Sequence, residues 1–169
     1  MLDLVIPLKI WQEILYCTKL CDPNEVTGIG ILRLKRVDKE TLKVERLFLP
    51  EQKVSRGLST FDETALHGII VDLADEGKGD DIEWLRFRWH SHGRGDVYFS
   101  TIDEEDIDNW AGDWVINLVV NVYGEHVARL DMFEPLRIRQ YPVRVIIDYP
   151  VNRRLMDRCK DEVDAKVRD

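Results

Sequence analysis

Stretches with helical spacing and stretches rich in branched and aromatic residues alternate along this chain. The expected fold is therefore a single α/β domain, a mostly antiparallel or mixed sheet with helices on both sides. Its 169 residues suit one domain with a real core, and no repeat, low-complexity segment or linker divides residues 1–169.

Pro7 opens the first helix, where Ile10, Trp11, Ile14 and Leu15 recur at three-and-four spacing until Pro23 stops it. Two strands are expected next, EVTGIGILRL from Glu25 and TLKVERLFLP from Thr41, the first with glycines that admit another backbone or a ligand. Residues 51–59 are expected to be a loop. Thr60 and Glu63 have capping-box spacing, and Phe61, Ala65, Leu66, Ile69, Ile70 and Leu73 form the apolar stripe of a second helix to about Glu76.

EGKGDD turns the chain into a strand over residues 82–92, IEWLRFRWHSH, in which Leu85, Phe87 and Trp89 point one way and His90 and His92 the other. After the loop GRGDVYF, Ser100 and the acids behind it open a third helix. WVINLVVNVY, HVARLDMF and VRVIID complete the strands. A last amphipathic helix over about 151–167 carries Leu155, Met156, Cys159 and Val163 on one face.

Composition narrows the function classes. The net charge of −8 disfavours a nucleic-acid partner bound through a broad basic surface. No apolar run reaches the roughly 18 residues of a membrane span, and MLDLVIPLKIW lacks the basic start and cleavage site of a signal peptide, so a cytoplasmic location is expected. Cys17, Cys21 and Cys159 form neither a paired metal knuckle nor a disulfide framework; Cys17 and Cys21 read as small apolar groups on one helix face. The RGD of Arg94, Gly95 and Asp96 reads as a turn, and Arg86 and Arg88 as solvated or ion-paired. His67 and His126 receive no role.

The chemistry concentrates in HSHGRGDVYFSTID, residues 90–103. Alternation along a strand puts His90 and His92 on one face, close enough to bind one ion. Asp103 at the start of the next helix can be a third ligand, because a helix N-terminus favours the ionised carboxylate. Two imidazoles, one carboxylate and an open position make a catalytic zinc set. Such a set needs a carboxylate to move the proton, and Glu25 is the candidate. Ser100 has two compatible readings: N-cap of the third helix, and hydroxyl donor to a developing oxyanion.

Glu25 upstream, then H-x-H, seven residues, Ser, two residues and Asp resembles the signature of the JAMM (MPN-plus, JAB domain) zinc metalloproteases at every defining position. The resemblance covers roughly residues 8–148, with EVTGIGILRL similar to the Glu-bearing strand and LVVNVYGEHVARLDMFEP to the strand pair after the Asp. It implies a cytidine-deaminase-like three-layer sandwich and one catalytic zinc ion held by His90, His92 and Asp103. Glu25 would be general base and then acid, and Ser100 would support the oxyanion.

The implied activity is cleavage of a peptide or isopeptide bond after the C-terminal tail of a ubiquitin-like protein. The expected strand at Trp114 leaves no room for the insertion carried by ubiquitin-chain specialists. The compact form is thus similar to prokaryotic members of ubiquitin-like conjugation and antiphage systems, whose substrate tail could enter as an added strand beside the metal-bearing sheet. The alternatives are an interaction scaffold that keeps the metal, or a metal hydrolase of another kind. Metallo-β-lactamase sites want a third His that GRGD does not supply, and amidohydrolase barrels need about 250 residues.

Overall fold

The structure, a computed structural model, describes residues 2–34, 41–61 and 63–166. Its elements in order are β1 (Asp3–Pro7), α1 (Leu8–Cys21), β2 (Thr27–Leu34), β3 (Thr41–Phe48), β4 (Lys53–Ser55), β5 (Leu58–Thr60) and α2 (Glu63–Asp75). A 3-10 turn (Gly79–Trp84) leads into β6 (Phe87–Ser91), α3 (Thr101–Asp108), β7 (Trp114–Val120), β8 (His126–Met132), β9 (Ile138–Gln140), β10 (Arg144–Asp148) and α4 (Arg153–Lys166).

Eight strands form one sheet in the order β10-β1-β3-β2-β6-β7-β8-β9, and β4 and β5 make a separate hairpin. The large sheet is mixed: β1 runs parallel to β10 and β3, β6 runs parallel to β7, and the other pairs are antiparallel. It curls until the backbone N–H of Val143, just ahead of β10, donates to the Ala128 carbonyl of β8 at 2.8 Å.

One face of the curl packs on α1. Ile10, Trp11 and Ile14 meet Leu4, Ile6, Leu32, Phe87, Trp89 and Leu118, and full burial of such side chains contributes about 1.5–3 kcal/mol each. The other face packs on α2, where Ile69 and Leu73 cover Ile29 and Ile31. Alternation along β2 divides its residues between these layers, and a bulge between Ile31 and Leu32 shifts the register before the strand ends. The expected arrangement of a mixed sheet between helical layers is what the chain adopts.

Several local expectations are corrected. Asp3–Pro7 is a strand whose last residue caps α1, because the chain passes directly from sheet to helix at Pro7. Residues 51–59 are not an open loop: Lys53–Ser55 and Leu58–Thr60 pair across a two-residue turn at Arg56 and Gly57. Glu63 is the first residue of α2 and Thr60 the last of β5, so the capping box at that pair does not form.

The strand expected from residue 82 starts at Phe87, since Gly79–Trp84 winds as a 3-10 turn. Leu85 consequently joins the α2-side cluster while Phe87 and Trp89 lie in the α1-side core. The short β9 was not expected. The last helix forms as expected up to Lys166, and its expected end at residue 167 lies outside the described residues.

Candidate metal centre

Two strands and one helix bring the polar groups together. In the β2–β6 ladder Thr27 lies opposite His90, and past the strand ends the pairing continues through Val26 and Ser91. The Ser91 N–H donates to the Val26 carbonyl at 2.9 Å, and the Val26 N–H donates to the Ser91 hydroxyl at 3.0 Å. The same register sets Glu25 opposite His92, and directly opposed residues share a face of the sheet. Thr27 is itself clamped, donating its N–H to Gln52 Oε1 at 2.9 Å and accepting from Gln52 Nε2 at 2.9 Å.

Gly28 is required opposite Trp89. A Cβ there would stand 2.3 Å from the indole Nε1 and 3.0 Å from the Phe48 carbonyl, so the close approach that seats Trp89 beneath His90 tolerates no side chain.

His92 lies one residue beyond β6, and the chain turns sharply behind it at Gly93, whose φ of 51° favours glycine. The turn carries the Asp96 carbonyl back to His92 Nδ1 at 2.9 Å. Nδ1–H therefore donates to Asp96, so Nε2 is the nitrogen that faces His90 and Asp103, carrying a lone pair in the neutral ring and a proton for Asp103 in the charged one. The RGD segment is this turn, as expected, with Arg94 paired to Asp22 at 2.9 Å.

Asp103 arrives from α3. Ser100 is the N-cap: its hydroxyl accepts from the Asp103 N–H at 3.2 Å, and Asp103 Oδ2 accepts from the Ser100 N–H at 2.6 Å. This reciprocal pair fixes the carboxylate. Because Ser100 Oγ is the acceptor in the cap, its own proton stays available for donation.

Behind Asp103, Arg129 of β8 forks onto Glu104 at 2.5 and 3.0 Å and reaches Asp131 at 3.0 Å, while Asn117 donates to the same Asp131 oxygen at 2.9 Å. This buried network pins the first turn of α3 to the sheet.

The three donor groups converge. His90 Nε2 is 3.2 Å from His92 Nε2 and 3.0 Å from Asp103 Oδ1, and His92 Nε2 is 3.5 Å from Asp103 Oδ2. Two donors on a tetrahedral zinc at their usual bond lengths stand ~3.3 Å apart, so the set has the spacing that ion requires. Among the described residues this is the group of three His, Cys, Asp or Glu side chains able to hold a metal.

Electrostatics suit the same chemistry. Burial works against the Asp103 charge, but hydrogen bonds from His90 and His92 hold the carboxyl well below the usual carboxylate range. Burial also works against a charged His92, yet its bonds to Asp103 and Asp96 raise its pKa above the ordinary value. Glu25 is pushed up to about 7, by burial first, with His92 opposing the shift and the Asp103 charge adding to it.

Glu25, His90 and Asp103 line one groove of about 250 Å³ together with Thr27, Arg88, Asp106 and the hairpin residues Gly57–Thr60. Ser59, Thr60, Arg88, Asp106 and Asn109 also border a neighbouring pocket of about 420 Å³, walled by Ile29, Phe61, Leu66, Ile70, Leu85 and Trp110. Arg88 is ion-paired to Asp106, and Arg86 to Asp113 at 2.6 Å. His67 is exposed, and His126 bonds the Gly124 carbonyl and meets Trp11 edge to face, away from the groove.

The hairpin wall, Gln52 and the Arg129 network lie outside what the sequence pattern predicts. Arg56-Gly57 between short runs with branched residues was the available signal for the hairpin. The network joins residues far apart in the chain, and no spacing announces it.

No family model matches the chain, and no curated protein does. Among solved structures it is similar to the solution structure of protein DSY2949 from Desulfitobacterium hafniense, with a TM-score of 0.58 and 15% identity over 89% of this chain and 96% of that one. The two share a mixed α/β fold. Among the described residues no helix is long and apolar enough to cross a membrane.

Proposed function

We propose that this protein is a zinc-dependent peptidase or isopeptidase of the JAMM type, with the cytidine-deaminase-like form of the α/β sandwich. Its substrate is a ubiquitin-like protein, cut after the C-terminal tail in the cytoplasm, in a bacterial ubiquitin-like conjugation or antiphage system. The observation that carries the reading is the convergence of His90, His92 and Asp103 at zinc-like spacing, with Glu25 opposite His92 on the neighbouring chain segment.

His90 Nε2, His92 Nε2 and the Asp103 carboxylate would hold the ion, which supplies Lewis-acid polarisation of a carbonyl and acidifies a water. The chain's own residues do the rest. In the metal-free protein burial pushes Glu25 up to about 7, and its place opposite His92 puts it where it can accept a proton and release it to a departing amine. Ser100 keeps its hydroxyl hydrogen free to donate to the oxyanion, and Asp96 holds the His92 ring in the useful tautomer.

β6 is paired on both sides by β2 and β7, so the added strand expected beside the metal-bearing sheet would not lie directly against β6. Among the described residues β5 pairs only with β4, so its second edge, along the groove wall, is the place where an extended tail would find main-chain partners. The adjoining apolar pocket matches a bulky apolar side chain of such a tail.

The test is incubation of the zinc-loaded protein with C-terminal fusions of the small β-grasp modifiers of its own genome. The reading expects cleavage immediately after the modifier tail, lost on chelation and in His90→Ala. Zinc bound without hydrolysis of any such fusion overturns the peptidase and favours a scaffold that keeps its metal.

A further inference from the structure

Helix α4 stands apart from the fold. Its 14 residues include none that is buried, although the helix carries a clear apolar stripe. At about 100° per residue, Met156, Cys159 and Val163 fall within about 60° of arc and Leu155 about 40° beyond. Leu155 is 46% exposed, Met156 58% and Val163 52%. A lone helix this short is marginal in water, so its stability has to come from a surface that covers the stripe.

The charges indicate what that surface is. Arg153, Arg154, Arg158 and Lys160 against Asp157 give the first eight residues a net charge of +3, and Asp161, Glu162 and Asp164 against Lys166 give the last six −2. The arginines at the N-terminal end oppose the helix dipole, while Lys166 balances Asp164 in the last turn. An antiparallel copy of the same helix offsets the unfavourable end, because each basic half then lies on an acidic half and the two dipoles oppose.

The residue order fits this pairing. When the axis passes by Cys159, Leu155 of one copy meets Val163 of the other, Cys159 meets itself, and Arg153 and Arg158 on the shoulders reach Asp164 and Glu162. The geometry points to α4 as a self-association surface, on which a second copy of this chain docks its own α4 antiparallel about Cys159. The interface is short and of the size class of weak, reversible contacts, and it involves no residue of the metal centre.

Sedimentation velocity of the zinc-loaded full chain from about 5 to about 500 µM tests it. The expected result is a concentration-dependent monomer–dimer equilibrium, weakened at least tenfold by Arg153→Glu and by Asp164→Arg separately. The variant carrying both changes should recover the wild-type equilibrium, since the pair is then reversed in both copies. Added diamide should form a covalent dimer that Cys159→Ser removes and Cys17→Ser does not, and that forms more slowly in Arg153→Glu. A chain that stays monomeric throughout, a dimer indifferent to both charge reversals, or singles that weaken it without recovery in the combination would each overturn the antiparallel pairing.

Discussion

Zinc and protons compete for the same nitrogen in this site, so the stability that zinc adds should grow with pH and offset the fall of the metal-free protein. In the metal-free protein His92 and Glu25 both hold their protons to higher pH than in the unfolded chain. The native state binds the extra protons, so stability falls as pH rises: through the window from 4.5 to about 7 for Glu25, and from 6.5 upward through the raised pKa for His92. Asp103 has the opposite sign. Its depressed pKa adds stability above 3.8 that is lost only in strong acid, so it is silent between pH 6 and 8.

Zinc takes the unprotonated ring. Below the pKa of His92 its affinity should therefore drop about tenfold per pH unit, or ~1.4 kcal/mol for the one proton displaced. At a free zinc concentration about 100 times the dissociation constant, the ion adds ~2.7 kcal/mol, a rise in Tm of roughly 5–10 °C for a domain of this size. The assay is thermal unfolding with and without zinc from pH 6 to 8.5, with calorimetric titration in two buffers of different ionisation enthalpy to count released protons. A metal-free Tm that falls with pH, beside a zinc increment that grows with pH, is expected. A zinc increment independent of pH, or an equal one in His90→Ala, would refute the reasoning.

Three further outcomes follow from the geometry. Glu25→Gln should retain zinc, because Glu25 is not among the converging ligands, while hydrolysis falls by ~10²–10⁴ in single-turnover kinetics; full activity would remove Glu25 from proton transfer. Gly28→Ala forces a Cβ to within 2.7 Å of Trp89 Cε2, and urea unfolding should show a loss of ~1–3 kcal/mol, whereas unchanged stability would contradict the close packing under His90. Arg129→Met removes the fork onto Glu104 and one bond to the buried Asp131, leaving them Arg139 and Asn117 as partners, and should cost ~1–3 kcal/mol in denaturant unfolding and weaken zinc binding; a neutral result in both would show that α3 is held by other contacts.

The features that were legible in the sequence are those encoded locally. H-x-H on a strand face, Ser100 and Asp103 in a capping box, and the three-and-four apolar spacing of α1 all depend on residues within a few positions of one another, and each is present in the structure. Leu85 departs from the expected face because its alternation with Phe87 and Trp89 continues in sequence across the point where the backbone leaves a 3-10 turn. The position of Glu25 opposite His92 depends on strand register, and Arg129 meets Glu104 across a separation of 25 residues. Pairings of that range are set by tertiary packing.

The arrangement of His90, His92 and Asp103 around one ion is most directly tested by anomalous diffraction at the zinc edge from crystals of the zinc-loaded protein. One peak is expected within ~2.0–2.2 Å of His90 Nε2, His92 Nε2 and an Asp103 carboxylate oxygen. A map with no peak among these side chains, or with the ion bound elsewhere, would contradict it.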